Sequence, residues 1–292
     1  MLLAEGEFKT EVMNVAIIGC GYVGTAQARY WRQDNGFTVT ATTSTPSRVP
    51  ELSGVAQRVL VVKGNNPASL QSVVQDQDTV LLSVGAKNAN VYEETYLHTA
   101  QTLVSVLKQT PSVRQIIYTG SYAVYGDRGG ALVDESSPVA PANPNGEILD
   151  RTESVLLSAS GSNLKVCILR LGGIYGPGRE LVKIFSRWAG TTRPGNGSDV
   201  TNWIHLDDIV AAIEFVRSNK LQGIYNLVDG AHLSSRVLLD KVCSQHNLPP
   251  VIWDESLKSV RPYNARVSNQ KIKDAGYPLI HPQMIGIGDL MG

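Results

Sequence analysis

The chain has 292 residues, of which 26 are lysine or arginine and 26 are aspartate or glutamate, so its formal net charge is zero. This balance gives no electrostatic reason to expect a nucleic acid or an anionic membrane as a partner. The three cysteines, Cys20, Cys167 and Cys243, are odd in number and far apart, which argues against a disulfide framework and a zinc cluster. Hydrophobic residues make up 42% of the chain, enough for one large α/β domain, and no apolar run approaches the roughly 20 residues of a membrane span.

The first twelve residues lack the basic start and the long apolar stretch of a secretory signal. Met13 directly precedes the first predicted strand, so we interpret residues 1–12 as a leader that is poorly ordered. With neither a signal nor a membrane span in the sequence, the expected compartment is cytoplasmic.

Residues 15–24, VAIIGCGYVG, predict a buried strand, a tight turn and the start of a helix. Each glycine of the GxGxxG pattern has a physical task. Gly19 permits the tight turn, Gly21 lets the backbone approach a pyrophosphate, and Gly24 lets the helix pack closely on the strand. The phosphates of a dinucleotide would then face the backbone N–H groups at the helix start. The alternative is a glycine-rich turn without a ligand.

The next predicted strand ends without an acidic residue. An NAD site usually places Asp or Glu at this point, where the carboxylate accepts a hydrogen bond from the ribose 2′-hydroxyl. This chain has Thr43, Ser44 and then Arg48, with no carboxylate before Glu51. Hydroxyl groups and a guanidinium suit a 2′-phosphate, so the sequence predicts a preference for NADP(H) over NAD(H). The alternative is that Arg48 is a solvated loop residue.

Strands and helices alternate through the first part of the chain. After the second strand, strands are predicted over residues 58–62, 78–86, 114–121 and 165–171, and helices over residues 67–75, from residue 96 onward and over residues 147–159. This order predicts the α/β class, with a doubly wound (Rossmann) parallel sheet covered by helices on both faces.

The carboxyl ends of parallel strands are where ligands of such sheets bind, and the helix start lies at the same edge. Further cofactor contacts are therefore expected from residues at these places. They are Tyr22, Val23, Val84, Gly85, Ala86, Leu171 and Gly173.

The pattern changes after residue 171, where turn-rich stretches replace the regular alternation. We predict an NAD(P)-binding Rossmann domain over residues 13–171 and a smaller C-terminal α/β substrate region over residues 172–292. The second region is expected to interleave with the Rossmann sheet through about residues 204–230. A substrate cleft is expected between the two regions, where the loop of Ser121 ends.

Several ordered motifs resemble those of the extended short-chain dehydrogenase/reductases, the group that contains nucleotide-sugar epimerases and dehydratases. The motifs are VAIIGCGYVG, YTGSYAVYGD, DESSPVAP, LRLGGIYGPGR, NWIHLDDIVAAI and YNLVDG. The resemblance covers nearly the whole chain from Met13. It implies a Rossmann domain, a nicotinamide cofactor and a small C-terminal substrate domain. It also implies a possible homodimer through helices equivalent to residues 96–108 and 147–159.

One departure from the family concerns its catalytic unit, which is Ser or Thr followed by Tyr-x-x-x-Lys on the next helix. Ser121 matches the serine, but no tyrosine in the chain has a lysine four residues later. This helix can be aligned with the family motif in two ways. In one alignment, Asn145 and Leu149 occupy the positions of the tyrosine and the lysine. In the other, shifted by one residue, the two positions again hold neither a phenol nor an ammonium. The family lysine lowers the phenol pKa from about 10, and leucine cannot do this. Tyr122, in the loop of Ser121, is a candidate replacement for the missing phenol.

Two residues are candidates for substrate contact. Tyr175 follows a double glycine near the expected nicotinamide, although core packing is the favoured alternative. Arg193, in RPGNG, matches a region that often contacts substrate in the resembling family, and with Arg261 it could bind a phosphate or carboxylate. The alternative is that these arginines are ordinary surface residues.

His205 is followed by Asp207 and Asp208, a pattern that can indicate metal or acid/base chemistry. We interpret this segment as structural, with Asp207 capping the next helix, because an apolar helical run follows at once. The other histidines, His281 among them, show no ligand spacing. The sequence therefore predicts no metal.

Two functions of different classes remain. One is an NADP(H)-dependent oxidoreductase or epimerase/dehydratase-like enzyme that acts on a small polar substrate through an atypical relay around Ser121. The other is a non-catalytic NADP(H)-binding sensor or regulatory protein. The missing Tyr-x-x-x-Lys favours the sensor, whereas Ser121 and the whole C-terminal substrate region favour the enzyme.

Overall fold

The computed structural model of the chain describes residues 13–284, so the predicted leader over residues 1–12 lies outside the described residues. The strands are β1 Asn14–Ile18, β2 Thr38–Thr43, β3 Arg58–Val61, β4 Thr79–Leu82, β5 Gln115–Ser121, β6 Asp127–Val133, β7 Lys165–Leu171, β8 Gly173–Tyr175, β9 Thr192–Pro194, β10 Trp203–His205, β11 Gly223–Leu227, β12 Ile252–Asp254 and β13 Asn264–Val267. The α-helices are α1 Tyr22–Gln33, α2 Val49–Ser53, α3 Pro67–Val74, α4 Thr99–Leu107, α5 Pro144–Leu157, α6 Leu181–Phe185, α7 Leu206–Ser218, α8 Ser235–Gln245 and α9 Gln270–Asp274.

Seven parallel strands form the central sheet, in the order β3-β2-β1-β4-β5-β7-β11. The strand order reverses at β1, whose Ile17 lies between Ala41 of β2 and Leu81 of β4. A doubly wound sheet binds its ligand at this kind of switch point, beyond the carboxyl ends of the strands. The predicted Rossmann fold is confirmed.

Side chains of β1 alternate between the two faces of the sheet, and each face has its own core. Val15 and Ile17 pack with residues of α1 and α7, whereas Ala16 and Ile18 pack with residues of α3 and α4. These four side chains are at most 2% exposed, so the strand that leads into the glycine turn is fixed from both sides. Burial of this kind contributes roughly 1.5–3 kcal/mol for each large apolar side chain.

A third core lies outside the central sheet. It joins α6 and α8 through Leu181, Phe185, Leu238 and Val242. Three two-stranded parallel ladders accompany it, pairing β8 with β10, β9 with β12 and β6 with β13. The strand β11, which lies late in the chain, returns to the central sheet beside β7.

Two helix boundaries differ from the prediction. The helix expected from residue 147 begins at Pro144, because the Asn143 side chain accepts the Gly146 N–H and proline suits a first helical position. The segment expected to be helical from Tyr96 is first a π-helical turn, Glu94–His98, and only then the α-helix α4. Among residues 13–284 no helix combines the length and the apolar character that crossing a membrane requires.

Candidate functional site

The glycine turn joins β1 to α1 and needs glycine at two of its three motif positions. Gly19 has a φ of +93°, and a Cβ there would lie 2.6 Å from the carbonyl oxygen of Ser83. A Cβ on Gly24 would lie 2.5 Å from the carbonyl oxygen of Gly19. A Cβ on Gly21 would meet no atom within 4 Å, so the space in front of this residue is open. The turn is therefore tight and closely packed on one side and accessible at Gly21.

The start of α1 has the features of an anion site. Its N-cap is Gly21, which has no side chain to accept the first N–H groups, and no acidic residue stands in the first turn. The partial positive charge of the helix start is therefore uncompensated within this part of the chain. Val23 is buried in the core, and the Tyr22 hydroxyl donates a hydrogen bond to the carbonyl oxygen of Pro177 (2.9 Å), so these two residues offer the site their backbone rather than their side chains.

A cleft of about 560 Å³ opens in front of the turn. We call it the glycine-turn cleft. Its walls are formed by residues 18–21, 42–45, 48, 62–65, 83–85, 87, 91, 94, 95 and 99. The ends of β1, β2, β3 and β4 all reach it. Sequence patterns identified cofactor contacts in the segments 18–21, 42–45, 48 and 83–85. They identified none among residues 62–65, 87, 91, 94, 95 or 99, Lys63 and Lys87 included, because none of these belongs to a recognisable motif.

Arg48 lies at the wall of the glycine-turn cleft beside Thr43 and Ser44. Its guanidinium donates hydrogen bonds to the Cys20 carbonyl oxygen and to Thr25 Oγ1 (3.2 Å), and it pairs with the Glu51 carboxylate (2.9 Å). The hydrogen bond and charge of Glu51 raise the pKa of Arg48. The guanidinium is held by the turn itself, which places a fixed positive charge where a 2′-phosphate was predicted.

The other predicted cofactor contacts divide into two groups. Val84 and Gly85 line the glycine-turn cleft, and the Ala86 backbone forms a hydrogen bond with the Tyr96 hydroxyl. Leu171 is 4% exposed, and a Cβ on Gly173 would lie 2.8 Å from the Trp203 indole ring. Leu171 and Gly173 are therefore packed against neighbouring residues next to and within β8, and they do not line the glycine-turn cleft.

Ser121 ends β5 and its side chain caps the short 3₁₀ turn Tyr122–Tyr125, since Oγ accepts the Ala123 N–H at 3.2 Å. Among residues 13–284 this hydroxyl has no acceptor for its own proton, so the proton is available to a ligand. Leu149 occupies the position of the family lysine in one of the two alignments. It is 3% exposed and packs in the core that contains Tyr122 and Tyr125. Apolar side chains and phenols therefore surround the position of the missing ammonium.

A group of phenols, which we call the tyrosine cluster, lies around this position. Its members are Tyr92, Tyr96, Tyr118, Tyr122 and Tyr263. The rings of Tyr92 and Tyr96 are 4.6 Å apart and those of Tyr122 and Tyr263 are 5.3 Å apart. Burial raises the pKa of Tyr92 and Tyr96, and it raises the pKa of Tyr122 to about 12. Tyr92, Tyr96 and Tyr122 are therefore protonated at neutral pH. They can donate hydrogen bonds, but the raised pKa makes them weaker acids than a free phenol, and without phenolate they are poor bases.

Tyr122 also reaches the C-terminal part of the chain. Its hydroxyl accepts a hydrogen bond from Arg261 Nη2 (3.2 Å), and this guanidinium partly opposes the rise in the Tyr122 pKa. The sequence could not place Tyr92, Tyr96 or Tyr263 near Tyr122, because they come from two other segments of the chain.

A buried ion pair lies beneath the end of β5. Arg170 and Glu153 are 4% and 3% exposed and form three hydrogen bonds, the shortest being 2.7 Å from Nη2 to Oε2. The Arg170 guanidinium also lies 4.8 Å from the Tyr125 ring centre, and Tyr125 donates to Asn226 Oδ1. This network ties α5, β7 and β11 together and leaves Glu153 unable to serve as a free acid or base.

The two predicted substrate residues have different surroundings. Tyr175 is 2% exposed and packs against Trp203 and His205, as the alternative of core packing expects. Arg193 is half-buried over the Trp188 ring at 4.1 Å, and burial with the nearby charges of Arg187 and Arg261 lowers its pKa. Arg193 thus lies within electrostatic range of two other guanidinium groups of the C-terminal region.

The prediction that Asp207 caps α7 is wrong. The N-cap is His205, whose Nδ1 accepts the Asp207 N–H at 3.2 Å. The carboxylate of Asp208 is fully buried and accepts hydrogen bonds from the N–H groups of Ile280 and His281. The segment around residue 280 therefore crosses the start of α7, which brings His281 next to His205. Burial lowers the pKa of His205.

The model of the NAD dependent epimerase/dehydratase family matches residues 15–227. Protein YeeZ of Escherichia coli (strain K12) is 31% identical over 254 residues, which are 84% of this chain and 88% of that protein. The dTDP-glucose 4,6-dehydratase of Streptomyces griseus is 29% identical over 161 residues, which are 52% of this chain and 49% of that protein.

Among solved structures, the UDP-glucose 4-epimerase of Thermus thermophilus in complex with NAD superposes with a TM-score of 0.75. It is 19% identical, and the match covers 94% of this chain and 96% of that one. At this identity the likeness concerns the fold, and it agrees with the strand order of the central sheet.

Proposed function

The chain belongs to the NAD dependent epimerase/dehydratase family, and we propose that it is an NADP(H)-dependent enzyme of atypical active site that acts on a sugar nucleotide or a similar polar carbonyl substrate. The observation that carries the proposal is the glycine turn, which is closed at Gly19 and Gly24 and open at Gly21. A dinucleotide site needs this combination, because the pyrophosphate must approach the backbone at the uncapped start of α1.

The preference for NADP(H) is supported by the charges of the glycine-turn cleft. Arg48, Lys63 and Lys87 line it together with the hydroxyls of Thr43 and Ser44. A 2′-phosphate would accept hydrogen bonds from these groups, and Glu51 would then exchange part of its contact with Arg48 for solvent. The similar epimerase of Thermus thermophilus is in complex with NAD, so the cofactor preference of this chain has to be measured directly.

The substrate class is supported by the arginines of the C-terminal region. Arg187, Arg193 and Arg261 are close enough for the first and third to lower the pKa of the second. A phosphate group would neutralise this mutual repulsion and accept forked hydrogen bonds. Two similar proteins are named for dTDP-glucose and UDP-glucose, which carry diphosphates, and we propose the same class of ligand here.

A bound nicotinamide supplies or accepts the hydride, so the protein has to orient the substrate and handle the proton. We assign the substrate oxygen to Ser121 Oγ and to the phenols of the tyrosine cluster. Burial raises the pKa of Tyr96 and Tyr122, so both hydroxyls carry a proton at neutral pH and can donate a hydrogen bond to the oxygen of a carbonyl that is being reduced. Tyr122 remains the candidate from sequence, and the Tyr92–Tyr96 pair joins it because both rings pack against the core around Leu149.

We further propose that residues 13–171 hold the cofactor, that the region from residue 172 supplies the substrate side, and that the chain forms a homodimer. The helices α4 and α5 would form the dimer contact by resemblance to the family. Sedimentation of the purified protein decides between monomer and dimer.

The cofactor assignment is tested by calorimetric titration with NADPH, NADP⁺ and NADH at one pH and one salt concentration. We expect NADPH to bind at least 10-fold more tightly than NADH. Substitution of Arg48→Ala should weaken NADPH by roughly 10- to 100-fold, because a charge-assisted hydrogen bond is worth about 1.5–3 kcal/mol. NADH affinity should change little. The control is Arg114→Ala, which removes an exposed guanidinium just before β5, at the opposite edge of the sheet.

The catalytic assignment is tested by the loss of absorbance at the nicotinamide band after mixing enzyme and NADPH with a nucleoside-diphosphate 4-keto sugar, because reduction of its carbonyl consumes one NADPH and one proton. UDP-glucose, which has no carbonyl to reduce, is the control substrate. We expect turnover that is lost in Ser121→Ala with cofactor affinity retained. The sensor alternative predicts no turnover and a strong difference in affinity between NADPH and NADP⁺, since a ligand shifts an equilibrium only through differential binding. Equal affinities for NADPH and NADH would refute the assignment of Arg48.

A further inference from the structure

Two histidines and a carboxylate meet where the segment around residue 280 crosses the start of α7. His205, Asp207 and His281 each offer one ligand atom within 4.8 Å of the others. Oδ2 of Asp207 lies 3.3 Å from His205 Nδ1 and 3.0 Å from His281 Nε2. The three residues come from two segments of the chain, and His281 follows Asp207 by 74 residues. The sequence alone therefore gave no ligand spacing.

Both imidazole rings are held in place by other groups. The ring of His205 is 9% exposed and packs edge-to-face on Tyr175 at 5.0 Å. The ring of His281 packs on that of His205 at 4.2 Å, and its backbone N–H is held by the Asp208 carboxylate. By contrast, the Asp207 side chain is 53% exposed. The group thus combines two fixed rings with one side that is open to water.

We propose that His205, Asp207 and His281 form a binding site for a divalent transition-metal ion of the zinc class. Two neutral imidazole nitrogens and one carboxylate oxygen are a donor set that Zn²⁺ uses, with water in the fourth position. Zinc bonds of about 2.0–2.1 Å in a tetrahedron put neighbouring ligand atoms about 3.3 Å apart. The two measured separations, 3.0 and 3.3 Å, are close to this value.

One contact between His205 and Asp207 is unfavourable when no cation is bound. Nδ1 of His205 accepts the Asp207 N–H at 3.2 Å, at the long end of the range for hydrogen bonds. An Nδ1 that accepts this proton carries none of its own, so it forms no hydrogen bond with the Asp207 carboxylate oxygen 3.3 Å away. A cation bound at Nδ1 would take the single lone pair that now accepts the Asp207 N–H, so it would exchange this long hydrogen bond and the contact between the two acceptor atoms for two metal–ligand bonds.

The site would join two parts of the chain. His205 and Asp207 belong to the start of α7, whereas His281 belongs to the segment that Asp208 holds through the Ile280 and His281 N–H groups. A bound ion would add a second link at the same crossing. Because an ion that binds only the folded state stabilises it, Zn²⁺ should raise the melting temperature.

The test uses the full chain without a histidine tag, stripped of metal with a chelator. It is titrated with Zn²⁺ by calorimetry and with Co²⁺ by visible absorption. We expect one equivalent of each ion and a Co²⁺ spectrum of low coordination number. His281→Ala and Asp207→Asn should each weaken Zn²⁺ on the order of 100-fold, because each removes one of three protein ligands.

His246→Ala is the matched control, since His246 is exposed at the end of α8 and should leave metal affinity unchanged. His281→Gln keeps a donor for the Asp207 carboxylate, so it separates loss of metal from loss of the local fold. Metal-free variants are compared by circular dichroism and urea unfolding. Absence of saturable binding of Zn²⁺ and Co²⁺ to the wild type, or equal affinity in His281→Gln, would overturn the proposal. Neither result bears on the cofactor titration.

Discussion

Asp229 follows β11 and carries a buried carboxyl group with one oxygen left without a partner. The residue is 3% exposed, Oδ1 accepts the Ala231 N–H at 2.9 Å, and Oδ2 has no hydrogen-bond partner among residues 13–284. Burial, with the nearby charge of Asp208, raises the pKa of Asp229 to about 7. We predict that Asp229→Asn stabilises the protein at pH 8, because the amide has no charge to bury.

The direction of this pH dependence follows from the number of protons that the folded and the unfolded chain bind. The carboxyl ionises near 3.8 in the unfolded chain and near 7 in the folded chain, so between these pH values the folded state binds one proton more. The free energy of unfolding therefore falls as the pH rises through this window. The stabilisation is fully present below 3.8 and is lost above 7. The gap between the two values corresponds to roughly 4 kcal/mol, at about 1.4 kcal/mol per pH unit.

Urea unfolding of wild type and Asp229→Asn between about pH 5 and 8.5, a range that spans the raised pKa of Asp229, measures this contribution. The gain in stability of the variant should grow with pH and level off near pH 8, at a few kcal/mol. Subtracting the free energy of unfolding of the wild type from that of the variant at each pH removes the contribution of groups such as His205, which titrate in both proteins. Asp240→Asn, at an exposed carboxylate of α8, is the control. Parallel curves for wild type and Asp229→Asn would refute the reasoning.

Two further pairs of substitutions test packing and charge. Gly24→Ala should lower the free energy of unfolding by about 1–3 kcal/mol, because its Cβ would meet the Gly19 carbonyl oxygen at 2.5 Å. Gly21→Ala should leave stability nearly unchanged and weaken NADPH binding instead, so equal unfolding midpoints for both variants would contradict the geometry of the turn. Glu153→Gln should cost about 3–5 kcal/mol, since it leaves the buried Arg170 charge unpaired. Glu93→Gln, in an exposed pair, should cost under about 1 kcal/mol in the same urea assay.

Local patterns were sufficient to predict the fold and the glycine turn. The alternation of strands and helices is a property of neighbouring residues, and the three glycines stand within a few residues of one another. The start of α5 was misplaced because Asn143, which caps it, precedes a proline that was not recognised as a first helical residue. The π-helical turn Glu94–His98 has no sequence signature of its own.

Contacts between distant segments could not be predicted from one sequence. Tyr263 reaches Tyr122 from a late segment of the chain only because β13 pairs with β6, and no periodicity encodes this pairing. The same holds for His281, which was set aside because its spacing from His205 matched no metal motif. In both cases the chemistry of the residues was readable, whereas their meeting depended on the tertiary fold.

The contact between Arg261 and Tyr122 gives the proposed atypical site a physical rationale. In the resembling family an ammonium on the helix of α5 lowers the phenol pKa, and here Leu149 stands in one register of that position. The guanidinium of Arg261 lies 3.2 Å from the Tyr122 hydroxyl and acts in the same direction, although burial outweighs it. Arg261 therefore leaves Tyr122 a stronger acid than burial alone would, which favours transfer of its proton to a carbonyl oxygen that is being reduced.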